Sequence, residues 1–225
     1  MSKRITERRR QSALSREHIV AAAIELLDKD GEQGLTFRAL AERLSTGAGA
    51  IYWHIDDKRD LLNSACDEII VGVLGRVPPD ASPLARVRAI ALGVFDAMDA
   101  HPWVGAALAK AGGELPIVRI LEALGQQVVA LGVREANQWS TTSALMSYIV
   151  GVGGQNAEHA QMARLHGFDR TALLTEVSQR WSKLDPVAYP FTHRIREQLP
   201  VHDDRVDFLA GIDLFLTGIT GAVEG

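Results

Sequence analysis

Three groups of residues have the types and spacings that could do chemistry. The first is basic. Arg8, Arg9 and Arg10, with Lys3, Arg4 and Arg16 against the single acid Glu7, give residues 1–16 a charge of +5 in a chain of −4, leaving −9 on the remainder. A basic arm on an acidic body is the charge pattern of a small nucleic-acid contact, and equally of a solvated tail. The second group is Gly151-Val152-Gly153-Gly154-Gln155-Asn156. It has the glycines of a dinucleotide loop, but Asn156 takes the third glycine place and no strand-and-crossover pattern surrounds it. The third is His159 and His166, seven residues apart and able to share one helix face, but without the further ligands a metal needs. The Ser and His residues form no nucleophile elbow, and no zinc-protease helix motif is present. No enzymatic activity, metal or cofactor is therefore expected.

The elements that must position the basic residues read as helices. Apolar spacing is near 3.6 and hairpin signals are missing, so the expected fold is all-α. Ser15 is a candidate N-cap, followed by Ile19, Ala22, Ala23, Leu26 and Leu27, with a stop at Gly31. Thr36 caps a second, two-turn helix carrying Phe37, Leu40, Ala41 and Leu44. After a break at Ser45 and Thr46 the pattern resumes with Ala48, Ile51, Tyr52 and Ile55, and Asp57 then caps a longer helix. Short helices on one apolar centre, two of them joined by a tight turn, make a helix-turn-helix.

The three prolines of residues 77–83 form a loop, and a larger helical region follows. Its expected helices run over 84–100, a short one with Pro102 in its first turn, 115–131 closing at Gly132, 135–164, 170–184, and 203–223, with residues 185–200 wrapping the surface. The 225 residues are 47% apolar and 23% charged, as in ordinary globular proteins. One cysteine, Cys66, excludes a disulfide framework and is expected to be a buried small hydrophobe. No run of about 18 apolar residues occurs, and no apolar segment follows the charged N-terminus. No membrane association is expected, and a cytoplasmic location is.

From Gly31 to Leu62 the sequence reads GEQGLTFRALAERLSTGAGAIYWHIDDKRDLL. Ile51-Tyr52-Trp53-His54-Ile55, Lys58 and Leu61-Leu62, preceded by Gly34-Leu35-Thr36 and Leu40-Ala41, closely resemble the DNA-binding domain of the TetR family of transcriptional repressors. The resemblance covers residues 15–65 clearly. It implies a homodimer whose two recognition helices enter successive major grooves of a palindromic double-stranded operator. It divides the chain into an arm (1–14), a DNA-binding domain (15–60) and an effector-binding and dimerisation domain (61–225). Thr36 would offer a hydroxyl and helix N-terminal N–H groups to a phosphate. Arg38 has the fork that binds guanine O6 and N7. Tyr52, His54 and Lys58 resemble the family's backbone-contacting positions, which fix register. Taken singly, they read as core, cap and solvated charge.

One departure from the family is plain. The recognition helix begins Thr46-Gly47-Ala48-Gly49-Ala50, where relatives often carry polar base-reading side chains, and each glycine costs about 1 kcal/mol of helix propensity. Direct readout is therefore expected from Arg38 and Thr46, with Ala48 or Ala50 against thymine methyls. Arg8, Arg9 and Arg10 would sense the minor groove.

In the family the second domain binds a small molecule and dimerises. Phe95, Met98, Trp103, Trp139 and Met146, with His101 and Gln138 as polar contacts, are the expected lining of a pocket for an apolar or aromatic effector. Gly151 and Gly154, with Phe208, Gly211, Ile212, Phe215 and Ile219, are the expected dimer contacts, the alternative being one intramolecular core. The rival functions are an all-α small-molecule-binding or enzymatic protein, and a helix-turn-helix that meets protein instead of DNA.

Overall fold

The Ser15 hydroxyl accepts the His18 N–H at 3.3 Å and caps helix α1, Arg16–Gly34. The computed structural model describes residues 14–167 and 169–224, and every regular element among them is helical. Residues 1–13, with Arg8, Arg9 and Arg10, lie outside the described residues. Ile19, Ala23 and Leu27 form the buried stripe of α1. The regular helix breaks at Gly31, as expected, and resumes after a kink. Gly31 takes a φ of 66°, open to glycine, and the chain makes one further turn to Gly34. That turn carries Glu32 towards later parts of the chain.

Thr36 caps α2, Phe37–Arg43, by accepting the Ala39 N–H at 3.1 Å. In the tight turn that follows, Ser45 has a φ of 50° and the Thr46 N–H reaches back to the Ala41 carbonyl at 3.0 Å. Helix α3, Ala48–Ile51, has four residues and no side-chain cap, because Gly47 holds the cap position. Asp57 caps α4, Lys58–Leu74, through the Asp60 N–H at 2.8 Å. Leu35, Leu40, Ile51, Ile55 and Leu61 close one apolar centre among these four helices.

The rest of the chain packs on the far side of α4. Helix α5, Pro83–Ala100, starts from the Ser82 cap with proline in its first turn. Pro102 is the N-cap of α6, Trp103–Lys110, one place before the expected position. Helix α7, Leu115–Ala130, ends at a turn where Gly132 has a φ of 82°. Helix α8, Glu135–His166, spans 32 residues and stops at left-handed Gly167. The glycines from 151 to 154 lie within it, so they form no phosphate-cradling loop. Helix α9, Arg170–Trp181, is shorter than expected. With α10, Pro190–Ile195, and a 3-10 turn, Arg196–Val201, it contributes no buried side chain. Helix α11, Asp204–Glu224, returns to the core through Phe208, Ile212 and Leu216. Among the described residues no helix is long and apolar enough to cross a membrane, and no group of three or more metal-ligating side chains occurs. Cys66 is buried, and that burial, with Asp67 nearby, pushes its thiol up to about 12.

A polar cluster fixes the start of α4. The Arg16 guanidinium donates to the His54 carbonyl at 2.5 Å, to Asp60 Oδ1 at 2.8 Å and to Ser64 Oγ at 2.7 Å. The Asp56 N–H donates to Asp60 Oδ2 at 3.1 Å. Burial alone would raise the Asp60 pKa, but Arg16, the Asp56 N–H and Ser64 outweigh it and hold it below the usual carboxylate value. A depressed folded pKa supplies stability that is complete above the unfolded value, about pH 4, and is lost as pH falls through the folded one. Asp60→Asn should therefore unfold at a lower temperature than the wild type at pH 7. In thermal melts followed by circular dichroism the gap should close below about pH 4; a gap independent of pH would remove the charge from the explanation.

Candidate nucleic-acid interface

Helices α2 and α3 turn their apolar sides to α1 and α4 and leave one open face. Arg38 stands on it with its side chain 90% exposed, and its Nε–H donates to Glu42 Oε1 at 3.1 Å one turn further along α2. An exposed pair of this kind adds little to stability; Leu40 and Ala41, buried beneath, hold the helix down. Arg43 points the other way and pairs with Glu25 of α1. Thr36 uses its oxygen as the α2 cap and keeps its hydroxyl proton for another acceptor. With seven residues, α2 provides only a weak dipole, so that hydroxyl matters more than the helix field invoked from the sequence.

On α3 the side chains at Gly47 and Gly49 are absent, and a β-carbon at either would meet nothing within 4 Å. Ala48 and Ala50 are both half-buried, Ala48 packing in part against the core. Thr46 is half-buried, its backbone engaged in the turn. Tyr52 stacks on Phe37 with ring centroids 4.4 Å apart and still exposes more than half its surface. The ring ties the end of α3 to the start of α2 and leaves the phenol accessible. Beside it Trp53 is 88% exposed, a feature apolar patterning could not flag because it assigns large aromatics to cores. His54 is half-buried, with its carbonyl held by Arg16. Lys58 is less free than expected: its ammonium donates to the Glu32 carbonyl at 2.6 Å, leaving two protons for other partners.

The residues expected to line an effector pocket do not come together. Asp28 Oδ1, on α1, is 2.7 Å from both His101 Nδ1 and Trp103 Nε1, so this polar pair joins α1 to the α5–α6 corner. Lys110 adds a second tie to Glu32 at 2.9 Å, and Arg59 pairs with Glu114 across the same joint. Arg119 grips Asp67 through two nitrogens, at 2.6 and 3.2 Å. Met98 is fully buried against Gly153 and Gly105, Met146 packs on the core, Gln138 donates to the Val133 carbonyl, and Trp139 is 68% exposed. Of the expected set, His101 borders a cleft of about 700 Å³ between α4 and α5, and Phe95, stacked on Phe208 at 4.5 Å, reaches a larger one.

That cleft, of about 870 Å³, lies between α5, α8, α9 and the start of α11. Its apolar walls come from Phe95, Ala160, Leu173, Leu174, Val177 and Leu199. Its polar rim is made of ion pairs: Asp96 with Arg205 at 2.8 Å, Asp204 with Arg170 at 2.7 Å, and Asp204 with His202 at 3.0 Å. Sequence reasoning missed it because half the wall belongs to α9 and the 3-10 turn, whose apolar residues follow no buried stripe.

The expected dimer contacts divide. Phe208 and Ile212 are buried in the chain's own core, whereas Ile219, largely buried, also lines an open groove between α8 and α11. Gly154 faces Gly105, whose β-carbon would stand 2.9 Å from the Gly154 Cα, so its smallness serves packing of α8 on α6. Gly151 is exposed, Gly211 makes room for the Tyr148 ring, and Phe215 is half-buried beside Tyr148 at 5.4 Å. What remains open is a groove of about 930 Å³ between the first half of α8 and the outer face of α11. It is lined by Asn137, Thr141, Ala144, Tyr148, Phe215 and Gly218, with Leu214 76% exposed at its edge.

The family model for bacterial regulatory proteins of the tetR family matches residues 19–65. The structure of the transcriptional regulator SCO7222, a TetR from Streptomyces coelicolor, is 51% identical in sequence. It superposes with a TM-score of 0.85, with 93% of this chain and 99% of that one covered. An HTH-type transcriptional regulator from Saccharopolyspora erythraea is 33% identical over 155 residues, 64% of this chain, and the match spans only 61% of that relative's length. The structure of BioQ with its double-stranded DNA operator is 28% identical and superposes with a TM-score of 0.57, covering 68% of this chain and 92% of that one. The match of α1 to α4, with the full-length likeness to SCO7222, establishes that this chain belongs to the TetR family of transcriptional regulators.

Proposed function

We propose that this chain is a homodimeric repressor that binds a palindromic operator in the cytoplasm and releases it when a small molecule enters the α5–α8–α9 cleft. The observation that carries this reading is the open α2–α3 face, where Arg38, Tyr52 and Trp53 stand in solvent on a scaffold buried on its other side. Residues 15–60 act as the DNA-binding domain, 61–225 as the effector and dimer domain, and the basic residues 1–14 as an arm along the minor groove. Arg38 reads a guanine edge. Thr36, Tyr52, His54 and the remaining protons of Lys58 meet phosphates, with Thr46 and Ala50 nearer the bases. BioQ, solved with its operator, offers the same helical scaffold to DNA.

The dimer face is the groove between α8 and α11, where Leu214, Phe215, Tyr148 and Gly218 lack an apolar covering. An effector with an apolar body and polar edges suits the cleft, whose walls are apolar and whose rim is charged. Phe95 and Asp96 lie on the last two turns of α5, just ahead of His101 and its bond to Asp28. A ligand that displaces the end of α5 therefore pulls on α1, and the population moves to dimers with badly spaced recognition helices.

Fluorescence anisotropy against DNA selected from a random pool tests the reading. The full chain should bind with a steep negative salt slope, and Arg38→Ala should lose about 1–3 kcal/mol. Binding indifferent to salt and to Arg38 would instead favour a protein partner for the helix-turn-helix. Gly49→Ala should raise stability by up to about 1 kcal/mol, since the new methyl meets nothing, yet weaken operator binding severalfold by standing the backbone off the DNA. Melts and anisotropy on the same preparation separate the two effects. Asp28→Ala leaves the buried Trp103 N–H without its acceptor and should cost about 1–3 kcal/mol of stability. It should also lower operator affinity with the salt slope unchanged, because Asp28 touches no phosphate; a changed slope would place it in the interface.

A further inference from the structure

Glu42 is an acid on a surface that is to face phosphates, and among the described residues it accepts the Arg38 Nε–H, at 3.1 Å. Both side chains are exposed, 90% for Arg38 and 68% for Glu42, so no packing neighbour fixes either of them. The helix beneath is fixed: the Thr36 cap holds its start and Leu40 and Ala41 are buried. The freedom left on this face is that of the Arg38 side chain, and the carboxylate is what limits it.

The neighbouring helix makes that limit consequential. Gly47, Ala48, Gly49 and Ala50 carry no side-chain donor or acceptor, and Arg43, the other arginine of α2, is turned away to Glu25. Arg38 is thus the one guanidinium on the α2–α3 face among the described residues.

We propose that Glu42 is a positioning residue for base readout, which orients Arg38 and sets its guanine specificity; this rests on the operator-reading role given to Arg38 above. A guanidinium is a planar fork of five N–H groups. With the Nε–H occupied by Glu42, the terminal nitrogens present two parallel N–H groups outward, the edge that matches guanine O6 and N7. The pair biases the side chain towards this orientation before DNA arrives, so less rotamer freedom is lost on binding. The adjacent negative charge also offsets Arg38's attraction to any phosphate and repels the backbone at wrong sites. Glu42 thereby exchanges non-specific affinity for discrimination.

The experiment uses the full-length protein and a duplex selected from random DNA by the wild type, with each position replaced in turn by the other base pairs. Anisotropy gives the affinity of wild type, Glu42→Ala, Glu42→Gln and Arg38→Ala for each duplex and for an unrelated one, and circular dichroism checks folding. Arg38→Ala identifies the guanine that Arg38 reads. Glu42→Ala should reduce discrimination at that position by about tenfold while binding the unrelated duplex more tightly. Glu42→Gln keeps an acceptor for the Nε–H and should retain most of the discrimination, with the same gain on unrelated DNA. Undiminished discrimination in Glu42→Ala, or equal loss in the alanine and glutamine variants, overturns the positioning role while the reading by Arg38 stands. If no position depends on Arg38, both fail.

Discussion

A helix of four residues cannot hold itself in water, because nucleation consumes more conformational freedom than one turn of hydrogen bonds returns. In α3 the closing bond from the Tyr52 N–H to the Ala48 carbonyl is 3.4 Å long, and Gly47 supplies no capping oxygen. Its place is set from outside. Ile51 and Ile55 are buried in the centre shared with α1 and α4, the Thr46 N–H ties the preceding turn to α2, and the Tyr52 ring lies flat on Phe37. Arg16 then clamps the exit, joining the His54 carbonyl to Asp60 and Ser64. Helix α3 is aimed by its neighbours.

Those neighbours also carry the connection to the rest of the chain. Helix α4 buries Leu61 and Ala65 towards α1 and continues to Ile70 and Val73 against the larger helical body. The ties beside it are polar and partly exposed: Asp28 to His101 and Trp103, Glu32 to Lys110 and Lys58, Asp67 to Arg119. Each such bond contributes about 1 kcal/mol, while the coupling free energy between two sites is typically about 1–3 kcal/mol. A joint made of several such bonds is therefore of the right strength to be rearranged by a ligand without unfolding either side. A wholly apolar joint would resist that change.

The caps were the most legible part of the fold. Ser15, Thr36 and Asp57 each accept the N–H three residues on, because a short oxygen-bearing side chain before an apolar stripe is a local signal, complete within one turn. Non-local partners were not legible. His101 and Trp103 looked like pocket residues because their acceptor, Asp28, lies more than 70 residues away in sequence. The stripe of Phe208 and Ile212 was correctly read as apolar, but a stripe carries no mark of whether its cover is the same chain or a second copy. Of the candidate site, the residues on α2 and α3 could be named in advance and the cleft could not, since α9 and the 3-10 turn line it without burying a residue of their own.

The glycines of α3 determine where specificity can reside. A good bidentate arginine–guanine contact discriminates by about 1–3 kcal/mol, so a dimer with one such arginine per protomer gains about 2–6 kcal/mol over wrong sites. Specific regulators need about 4–10 kcal/mol over non-specific DNA. With no polar side chain from Gly47 to Ala50, Thr46 is the other polar side chain proposed near the bases, and on that reading much of the remainder falls to contacts that do not read base edges. A bare α3 backbone lets the protein approach the groove closely, which makes binding sensitive to groove width and to the energy of deforming the duplex. Sequence preference of that kind is spread over base pairs that no side chain touches. On the proposed reading, such a chain would recognise the shape of its operator as well as a few bases, and the rigidity that Arg16, Tyr52 and Asp60 give α3 would let a wrong shape be refused.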